Sequence, residues 1–143
     1  MSDKIISRRD GAVGHVVFNN PDKRNAVSLD MWQAFERAFD ECAADDEIRV
    51  VVLSGAGDRA FVSGADISKF ADERSSAEAV AHYDVTTARI FGKLHAFPKP
   101  TIAQITGSCV GGGVALAACC DLRVCGQSSR FAIPAAKLGV GYG

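Results

Sequence analysis

The sequence has little that would direct the protein to nucleic acid or to a membrane. Its 143 residues carry a formal net charge of −1, so no general electrostatic attraction draws it to polyanions. No segment reaches the roughly 18 consecutive apolar residues that a membrane-spanning helix needs. The stretch from Met1 to Arg9 lacks the apolar core of a secretory signal. We therefore expect a cytoplasmic protein with no nucleic-acid or membrane partner.

The cysteines lack the pattern of a metal site or of a disulfide framework. There are five of them, and no spacing of Cys and His resembles a zinc site. Free cysteines outside an oxidising compartment usually behave as small buried hydrophobes. We expect no metal ion, and we expect reduced, mostly buried thiols at Cys42, Cys109, Cys119, Cys120 and Cys125.

What is present is the composition of an ordinary globular domain, with 48% hydrophobic and 23% charged residues. Apolar runs bounded by turn residues predict strands at 5–9, 14–18, 48–53, 101–105 and 122–125. Helical spacing predicts a helix capped by Ser28 and further helices over 71–93 and 114–119. The order β-β-α, β-loop-α, β-loop-α, β favours one α/β domain. The all-apolar run 48–53 is typical of a strand buried on both faces. The core face predicted for the first helix consists of Leu29, Trp32, Phe35, Phe39 and Cys42.

Two glycine-containing loops, 63–66 and 111–113, each follow a predicted strand and lead into a helix start. N–H groups at a helix start have no helical partner and lie at the positive end of the helix dipole. Glycine lets a ligand approach the backbone closely. Two N–H groups that meet at one oxygen would stabilise an oxyanion. A single glycine-rich turn is more often a turn without a ligand, so either loop alone predicts little.

Several short motifs in a fixed order resemble the crotonase (enoyl-CoA hydratase/isomerase) superfamily, from about Ile5 to Gly143. Any one of them is weak, whereas the set in register is specific. They are KRNA at 23–26, VVVLSG at 50–55, FVSGADI at 61–67, GSCVGGG at 107–113, CDLR at 120–123 and FAIP at 131–134.

The resemblance implies an α/β fold in which β-β-α units form a crotonase-like spiral. Members of the superfamily usually continue beyond this length, into a C-terminal helical region that completes the pocket and makes much of the trimer contact. We therefore expect residues 1–143 to be a single crotonase-like domain, truncated before that region. When full length, the protein is expected to be a homo-oligomer, a trimer or a hexamer.

The resemblance also assigns a site. Its oxyanion-hole donors would be the N–H groups of Ala65 and Gly112, which would bind the carbonyl oxygen of an acyl-CoA thioester. Asp121 would be structural, tying its strand to neighbouring N–H groups. No cofactor is implied, because coenzyme A is part of the substrate. The residues expected to contact substrate or CoA are Lys23, Arg24, Ala26, Ala65, Asp66, Ile67 and Gly112, with Lys23 or Arg24 at the phosphates.

Two departures from the family pattern bear on the reaction. Hydratases of the family hold a water between two glutamates, and those positions are occupied here by Ala115 and Ala135. Neither alanine can transfer a proton, so hydration by the usual mechanism is not expected. A base could instead come from Asp72, Glu73, His82, Tyr83 or Tyr142.

The function expected from these residues is that of an acyl-CoA-processing enzyme of fatty acid metabolism, of the lyase or isomerase class, that stabilises a thioester enolate. The alternative is a non-catalytic acyl-CoA-binding or assembly module with the same fold. Two weaker interpretations remain. G-x-C-x-G at 107–111 fits a hydrolase nucleophile turn with Cys109 as nucleophile, but every histidine precedes it. G-x-G-x-x-A at 55–60 fits a dinucleotide fingerprint only if a helix follows at once.

Overall fold

The computed structural model describes residues 3–139. Long strands, short strands and helices alternate along the chain. The strands are β1 (Ile5–Asp10), β2 (Val13–Phe18), β3 (Val50–Gly55), β4 (Ala60–Val62), β5 (Thr101–Ile105), β6 (Ser108–Val110), β7 (Leu122–Cys125) and β8 (Arg130–Ala132). The helices are α1 (Leu29–Ala44), α2 (Phe70–Glu73), α3 (Ala77–His95) and α4 (Gly112–Cys119), with 3₁₀ turns at Pro21–Lys23, Ile67–Lys69 and Pro134–Leu138.

The strands form two sheets. The larger sheet has the order β1-β2-β3-β5-β7 and the smaller has the order β4-β6-β8. Among the described strands, β1 and β2 pair antiparallel, and the other pairs are parallel. Each of β3, β5 and β7 is followed by a short strand of the smaller sheet and then by a helix or a 3₁₀ turn. This repetition is the spiral of β-β-α units that the resemblance implies, and it confirms the predicted fold class.

Helix α1 packs its apolar face on the larger sheet, as its spacing predicts. Phe35 is 1% exposed and stacks on Phe18, with ring centroids 5.3 Å apart. Phe39 continues the row, 5.0 Å from Phe35 and 4.0 Å from Phe97. Burying one such side chain contributes roughly 1.5–3 kcal/mol. The aromatic row therefore holds α1 in place over the sheet.

Four details differ from the sequence prediction. In β3, Val51 and Leu53 are fully buried while Val50 and Val52 are half-buried, so the strand is not buried equally on both faces. The segment predicted as one helix over 71–93 forms α2 and α3, because the Ser76 hydroxyl accepts the N–H of Ala79 at 3.1 Å and starts a new helix. The short strands β4, β6 and β8 are not among the predicted strands. They have three residues each, which is too few to show a periodicity.

The remaining difference is at the start of α1. Ser28 is the N-cap residue, as predicted, but its hydroxyl does not cap the helix. It donates a hydrogen bond to the carboxylate of Asp30 instead.

Asp121 has the structural role that was expected. Its carboxylate accepts the Thr101 N–H at 2.8 Å and so ties the start of β7 to β5. Within residues 3–139, no helix has both the length and the apolarity to cross a membrane.

An ion-pair cluster joins α1 to α3. The carboxylate of Glu36 contacts Arg89 at 2.8 Å and Lys93 at 3.1 Å, and Lys93 also contacts Asp40 at 2.8 Å. Hydrogen bonds from Arg89, reinforced by Lys93 and opposed by burial, lower the pKa of Glu36 to about 2. Individual surface pairs contribute little, but Glu36 is shared by two cations and mostly covered.

We predict that Glu36→Gln lowers the free energy of unfolding by about 1 kcal/mol at neutral pH. Because the folded pKa is depressed, the wild-type advantage is present above the unfolded value near 4.5 and is lost as the pH falls towards about 2. Urea denaturation across this pH range measures it. Glu41→Gln, an exposed position on the same helix, is the control. A difference between wild type and Glu36→Gln that stays constant across the range would contradict the prediction.

Candidate active site

The two glycine loops lie side by side because the strands that precede them are neighbours. β4 and β6 pair in parallel, with Ala60 opposite Ser108 and Val62 opposite Cys109. The loops leave the same ends of these strands. A Cβ atom added at Gly113 would lie 2.1 Å from the carbonyl oxygen of Val62. Only glycine at position 113 therefore allows the start of α4 to approach β4 this closely.

Each loop presents one backbone N–H group that no acceptor in the described part of the chain uses. Ala65 and Gly112 each follow a glycine with positive φ, Gly64 at 104° and Gly111 at 56°. The adjacent N–H groups are occupied, since Asp66 donates to Val27 and Gly111 donates to Ala132. Among residues 3–139, neither Ala65 nor Gly112 donates its N–H to a protein acceptor.

These two N–H groups have the properties that anion binding requires. Both residues are half-buried, so the N–H groups are reachable and yet partly shielded from water. Gly112 is the first residue of α4, where the helix dipole adds positive potential. Backbone N–H donors of this kind can hydrogen-bond to an oxygen on which negative charge develops.

The segment just before α1 is joined to the Ala65 loop. Val27 donates its N–H to Gly64 and accepts the N–H of Asp66, both at 2.9 Å. The first turn of α1 lies beside the other loop, where the Cζ2 atom of Trp32 is 4.0 Å from the position of a Cβ at Gly112. Helix α1 and the segment just before it therefore lie beside both glycine loops.

The segment before α1 is held by Asn25, a residue whose role the sequence does not reveal. Asn25 is fully buried and adopts a left-handed conformation, with φ 55°. Its side-chain amide donates to Ala56 at 3.0 Å and to Ala60 at 2.8 Å, and its carbonyl accepts the N–H of Asn20 at 2.9 Å. The nitrogen and the oxygen of the Asn25 side-chain amide therefore both have hydrogen-bond partners. Asparagine is one of the few residues that tolerate this backbone conformation, which is the signal that could have identified it.

A cavity of about 350 Å³ opens beside Ala65. Its lining includes five of the seven residues predicted to contact substrate or CoA. Arg24 and Gly112 do not line it, and Arg24 is exposed on the neighbouring turn. The cavity is lined by Lys23, Ala26, Ser63, Ala65, Asp66, Ile67 and Ser68.

Lys23 is already paired within this cavity. Its ammonium lies 2.9 Å from the Asp66 carboxylate and 2.6 Å from the Ser68 hydroxyl. Burial would raise the pKa of Asp66, but hydrogen bonds from Ser68 and Lys23 outweigh it and hold the pKa below its usual value. Asp66 is thus a carboxylate at neutral pH. A phosphate that binds Lys23 would have to share the ammonium with it.

The positions of the two family glutamates offer no proton-transfer group. Ala115 lies in α4, where its N–H donates to Gly111 at 3.2 Å. Ala135 lies in the 3₁₀ turn Pro134–Leu138. Both alanines are half-buried. A glutamate at either place would face partial desolvation, but methyl groups there can only contribute packing.

The other candidate bases fall into two groups. Asp72 and His82 are exposed, whereas Glu73 is half-buried and Tyr83 is buried. Tyr142 lies outside the described residues. Glu73 accepts the N–H of Leu29 at 2.8 Å, so it supplies the cap that Ser28 does not supply. Burial raises the pKa of Glu73, and the bond from Leu29 opposes this shift only in part. Glu73 therefore has a structural role, because its carboxylate binds the first N–H of α1.

The two weaker interpretations of the sequence are wrong. Cys109 is fully buried in β6, and burial raises the pKa of its thiol to about 11, the opposite of an activated nucleophile. The run 55–60 leads from β3 into β4 and not into a helix, so the dinucleotide-binding context is absent. Of the other cysteines, Cys42 and Cys120 are buried, as expected, while Cys125 is exposed.

Comparison with known proteins identifies relatives of the whole chain. The sequence model of the enoyl-CoA hydratase/isomerase family matches residues 8–142. The short-chain-enoyl-CoA hydratase of Clostridium acetobutylicum is 33% identical over 143 residues, which is 99% of this chain and 54% of that protein. The mitochondrial Delta(3,5)-Delta(2,4)-dienoyl-CoA isomerase of Mus musculus is 37% identical over 135 residues, which is 88% of this chain and 41% of that protein.

Solved structures agree with the sequence comparison. The crystal structure of an enoyl-CoA hydratase/carnithine racemase from Magnetospirillum magneticum superposes with a TM-score of 0.93 at 42% identity, covering 100% of this chain and 54% of that one. Enoyl-CoA hydratase from Bacillus anthracis superposes with a TM-score of 0.90 at 27% identity, covering 96% of this chain and 53% of that one. The chain spans about half the length of the curated relatives it matches.

The adjacent glycines of α4 provide a test of the loop geometry. In Gly113→Ala the new methyl group would meet the carbonyl oxygen of Val62, whereas in Gly112→Ala it has only Trp32 at 4.0 Å. We predict that Gly113→Ala lowers the free energy of unfolding by about 1–3 kcal/mol, and that Gly112→Ala changes it by less than about 1 kcal/mol. Chemical denaturation of both variants measures the difference. Equal effects of the two substitutions would show that the loops are not in close contact.

Proposed function

The chain belongs to the enoyl-CoA hydratase/isomerase family, and on that premise we propose that the protein binds an acyl-CoA thioester and stabilises the enolate derived from it. The observation that carries the proposal is the pair of unused N–H groups at Ala65 and Gly112 on adjacent loops. The thioester carbonyl oxygen would accept both hydrogen bonds.

The proposed chemistry follows from where charge develops. When a proton leaves the α-carbon of a thioester, the electron pair moves into the C–C bond and negative charge collects on the carbonyl oxygen. Donors that are already oriented stabilise this charge without reorganising. Loss of one such donor typically lowers the rate by about 10²–10³-fold. Ala65 and Gly112 would supply this stabilisation together.

The cavity beside Ala65 supports binding of the CoA portion. Lys23, Asp66 and Ser68 place polar groups along it, while Ala26 and Ile67 add apolar surface. This combination suits a ligand with an apolar pantetheine arm and charged phosphates. Lys23 would reach a phosphate on its exposed side, with Asp66 holding the ammonium in place. The related proteins carry names that refer to CoA substrates.

The reaction we propose is not hydration by two glutamates, because Ala115 and Ala135 occupy those positions. The reactions that we propose instead proceed through an enolate, and they are isomerisation, decarboxylation or carbon–carbon cleavage. The same two alanines favour the second candidate, a non-catalytic acyl-CoA-binding or assembly module.

In either case we propose a homo-oligomer for the whole protein. The exposed apolar side chains on and beside β7 and β8 support that assembly: Leu122, Val124, Phe131 and Ile133.

Mass spectrometry of acyl-CoA ligands incubated with the protein in D₂O tests the proposal. We expect deuterium to enter the α-carbon of at least one thioester. Gly112→Pro should lower the exchange rate by about 10²–10³-fold, because proline has no N–H to donate. Proline is tolerated at the first residue of a helix, and Gly112 has that position in α4.

Gly112→Ala keeps the N–H and is the matched control, so it should retain more exchange than Gly112→Pro. Binding measured by calorimetry, with no exchange for any ligand, would support the non-catalytic module in place of the enzyme. Absence of binding to every acyl-CoA would overturn both candidates.

A further inference from the structure

The carboxylate of Glu73 binds the start of α1 from a distant part of the sequence. It accepts the N–H of Leu29, the first residue of that helix, at 2.8 Å. Within residues 3–139, no ion pair joins Glu73 to a lysine or an arginine. A half-buried carboxylate without a counter-ion is costly unless a hydrogen bond compensates for the lost water. The bond to Leu29 therefore accounts for the placement of this side chain.

Helix α2, which ends at Glu73, is also fastened to α3. The guanidinium of Arg74, the next residue, lies 4.3 Å from the centroid of the Phe70 ring and 4.9 Å from that of the Tyr83 ring. Tyr83 is a buried residue of α3. A cation over two aromatic rings is attracted to both of them. These contacts fix the place from which Glu73 reaches α1.

The segment that joins Ala65 to Glu73 consists of consecutive helical turns. The 3₁₀ turn Ile67–Lys69 is followed directly by α2. The Asp66 carboxylate caps the 3₁₀ turn by accepting the N–H of Ser68 at 3.1 Å. Because hydrogen-bonded turns have little freedom to bend, a displacement of α2 would reach Ala65 along the chain.

A second route joins Glu73 to Ala65 through the start of α1. Leu29, which Glu73 binds, comes two residues after Val27. Val27 forms a parallel bridge with Ala65, and the two hydrogen bonds of this bridge, both 2.9 Å long, hold the residues on either side of Ala65. The chain from Ala65 to Glu73 is thus closed into a ring, and the bond from Leu29 to Glu73 is the closing contact.

The N–H of Gly112 lies outside this ring. Its loop is held by β8, since the N–H of Gly111 donates to the carbonyl oxygen of Ala132 at 2.8 Å. Loss of the Glu73 bond should therefore change the direction of the Ala65 N–H more than that of the Gly112 N–H.

We propose that Glu73 is a positioning residue, which keeps the Ala65 N–H directed at the thioester oxygen by holding α1 and α2 together. The inference rests on the proposed role of Ala65 in the thioester site. A preorganised donor is effective because its direction is set before charge develops, and displacements of about 1 Å at such a site are costly. Glu73 serves the reaction in this way without transferring a proton.

The first measurement is the amide resonance of Ala65 in the ligand-free protein, by nitrogen-15 NMR spectroscopy. We expect Glu73→Ala to move this resonance more than that of Gly112, since only Ala65 belongs to the ring. Glu73→Gln keeps a side-chain oxygen that can accept the Leu29 N–H, so it should return the Ala65 resonance towards its wild-type position. If Glu73→Ala does not fold, Glu73→Asp, whose side chain is one methylene shorter, takes its place in the comparison.

The second measurement is the infrared carbonyl band of bound butyryl-CoA labelled with carbon-13 at the thioester carbonyl. Glu73→Ala should lose up to about half of the shift to lower frequency, because one of two donors is misdirected. Glu73→Gln should recover most of it. The dissociation constant of butyryl-CoA, measured by calorimetry, should change by less than about threefold, since one neutral hydrogen bond contributes little to binding.

Glu78→Ala removes an exposed acidic residue from the first turn of α3 and is the control, which should leave the resonance and the band unchanged. The inference is overturned if Glu73→Ala moves the Ala65 resonance no more than Glu78→Ala does, or if Glu73→Gln recovers neither signal. Wild-type protein that binds no acyl-CoA, or that leaves the carbonyl band unshifted, would instead overturn the proposed function. The NMR comparison needs no ligand, so it tests the position of Ala65 in either case.

Discussion

The close contact between the start of α4 and strand β4 determines what the rest of the site can do. Gly113 sits against the carbonyl oxygen of Val62, at a distance that no side chain could occupy. The contact depends on the parallel pairing of β4 and β6, which brings two loops from distant parts of the sequence to one edge. Without it, the unused N–H groups of Ala65 and Gly112 would not lie on neighbouring loops. The larger sheet contacts this small sheet through β3 and β5, and α4 packs on β4 and β6.

Helix α1 links packing to function. Its aromatic face anchors it on the larger sheet. Val27, just before its start, is bonded to the Ala65 loop, and Trp32 in its first turn lies beside Gly112. Glu73 caps its first N–H from α2. The segment after the first loop therefore stabilises the helix that positions the loops. A carboxylate that is a candidate base in the sequence has, in the structure, a structural partner.

The sequence predicts local features well and long-range partners poorly. The face of α1, the glycine loops and the order of elements follow from spacing and turn residues. The Glu73 cap joins residues 44 positions apart, and no local pattern reveals it; Ser28 was the nearer choice and its hydroxyl binds Asp30 instead. The hydrogen bonds of the buried Asn25 side-chain amide are likewise visible only once the chain is folded. The absence of glutamates at Ala115 and Ala135 is evident from the motifs alone.

We propose that the N–H groups of Ala65 and Gly112 polarise a thioester carbonyl. Isotope-edited infrared spectroscopy of butyryl-CoA labelled with carbon-13 at the thioester carbonyl measures this directly, because hydrogen bonds to the oxygen weaken the C=O bond. We expect the carbonyl band of the bound ligand to lie at lower frequency than that of the free ligand, and Gly112→Pro to reverse much of the shift. A bound carbonyl that absorbs at the frequency of the free ligand would contradict it.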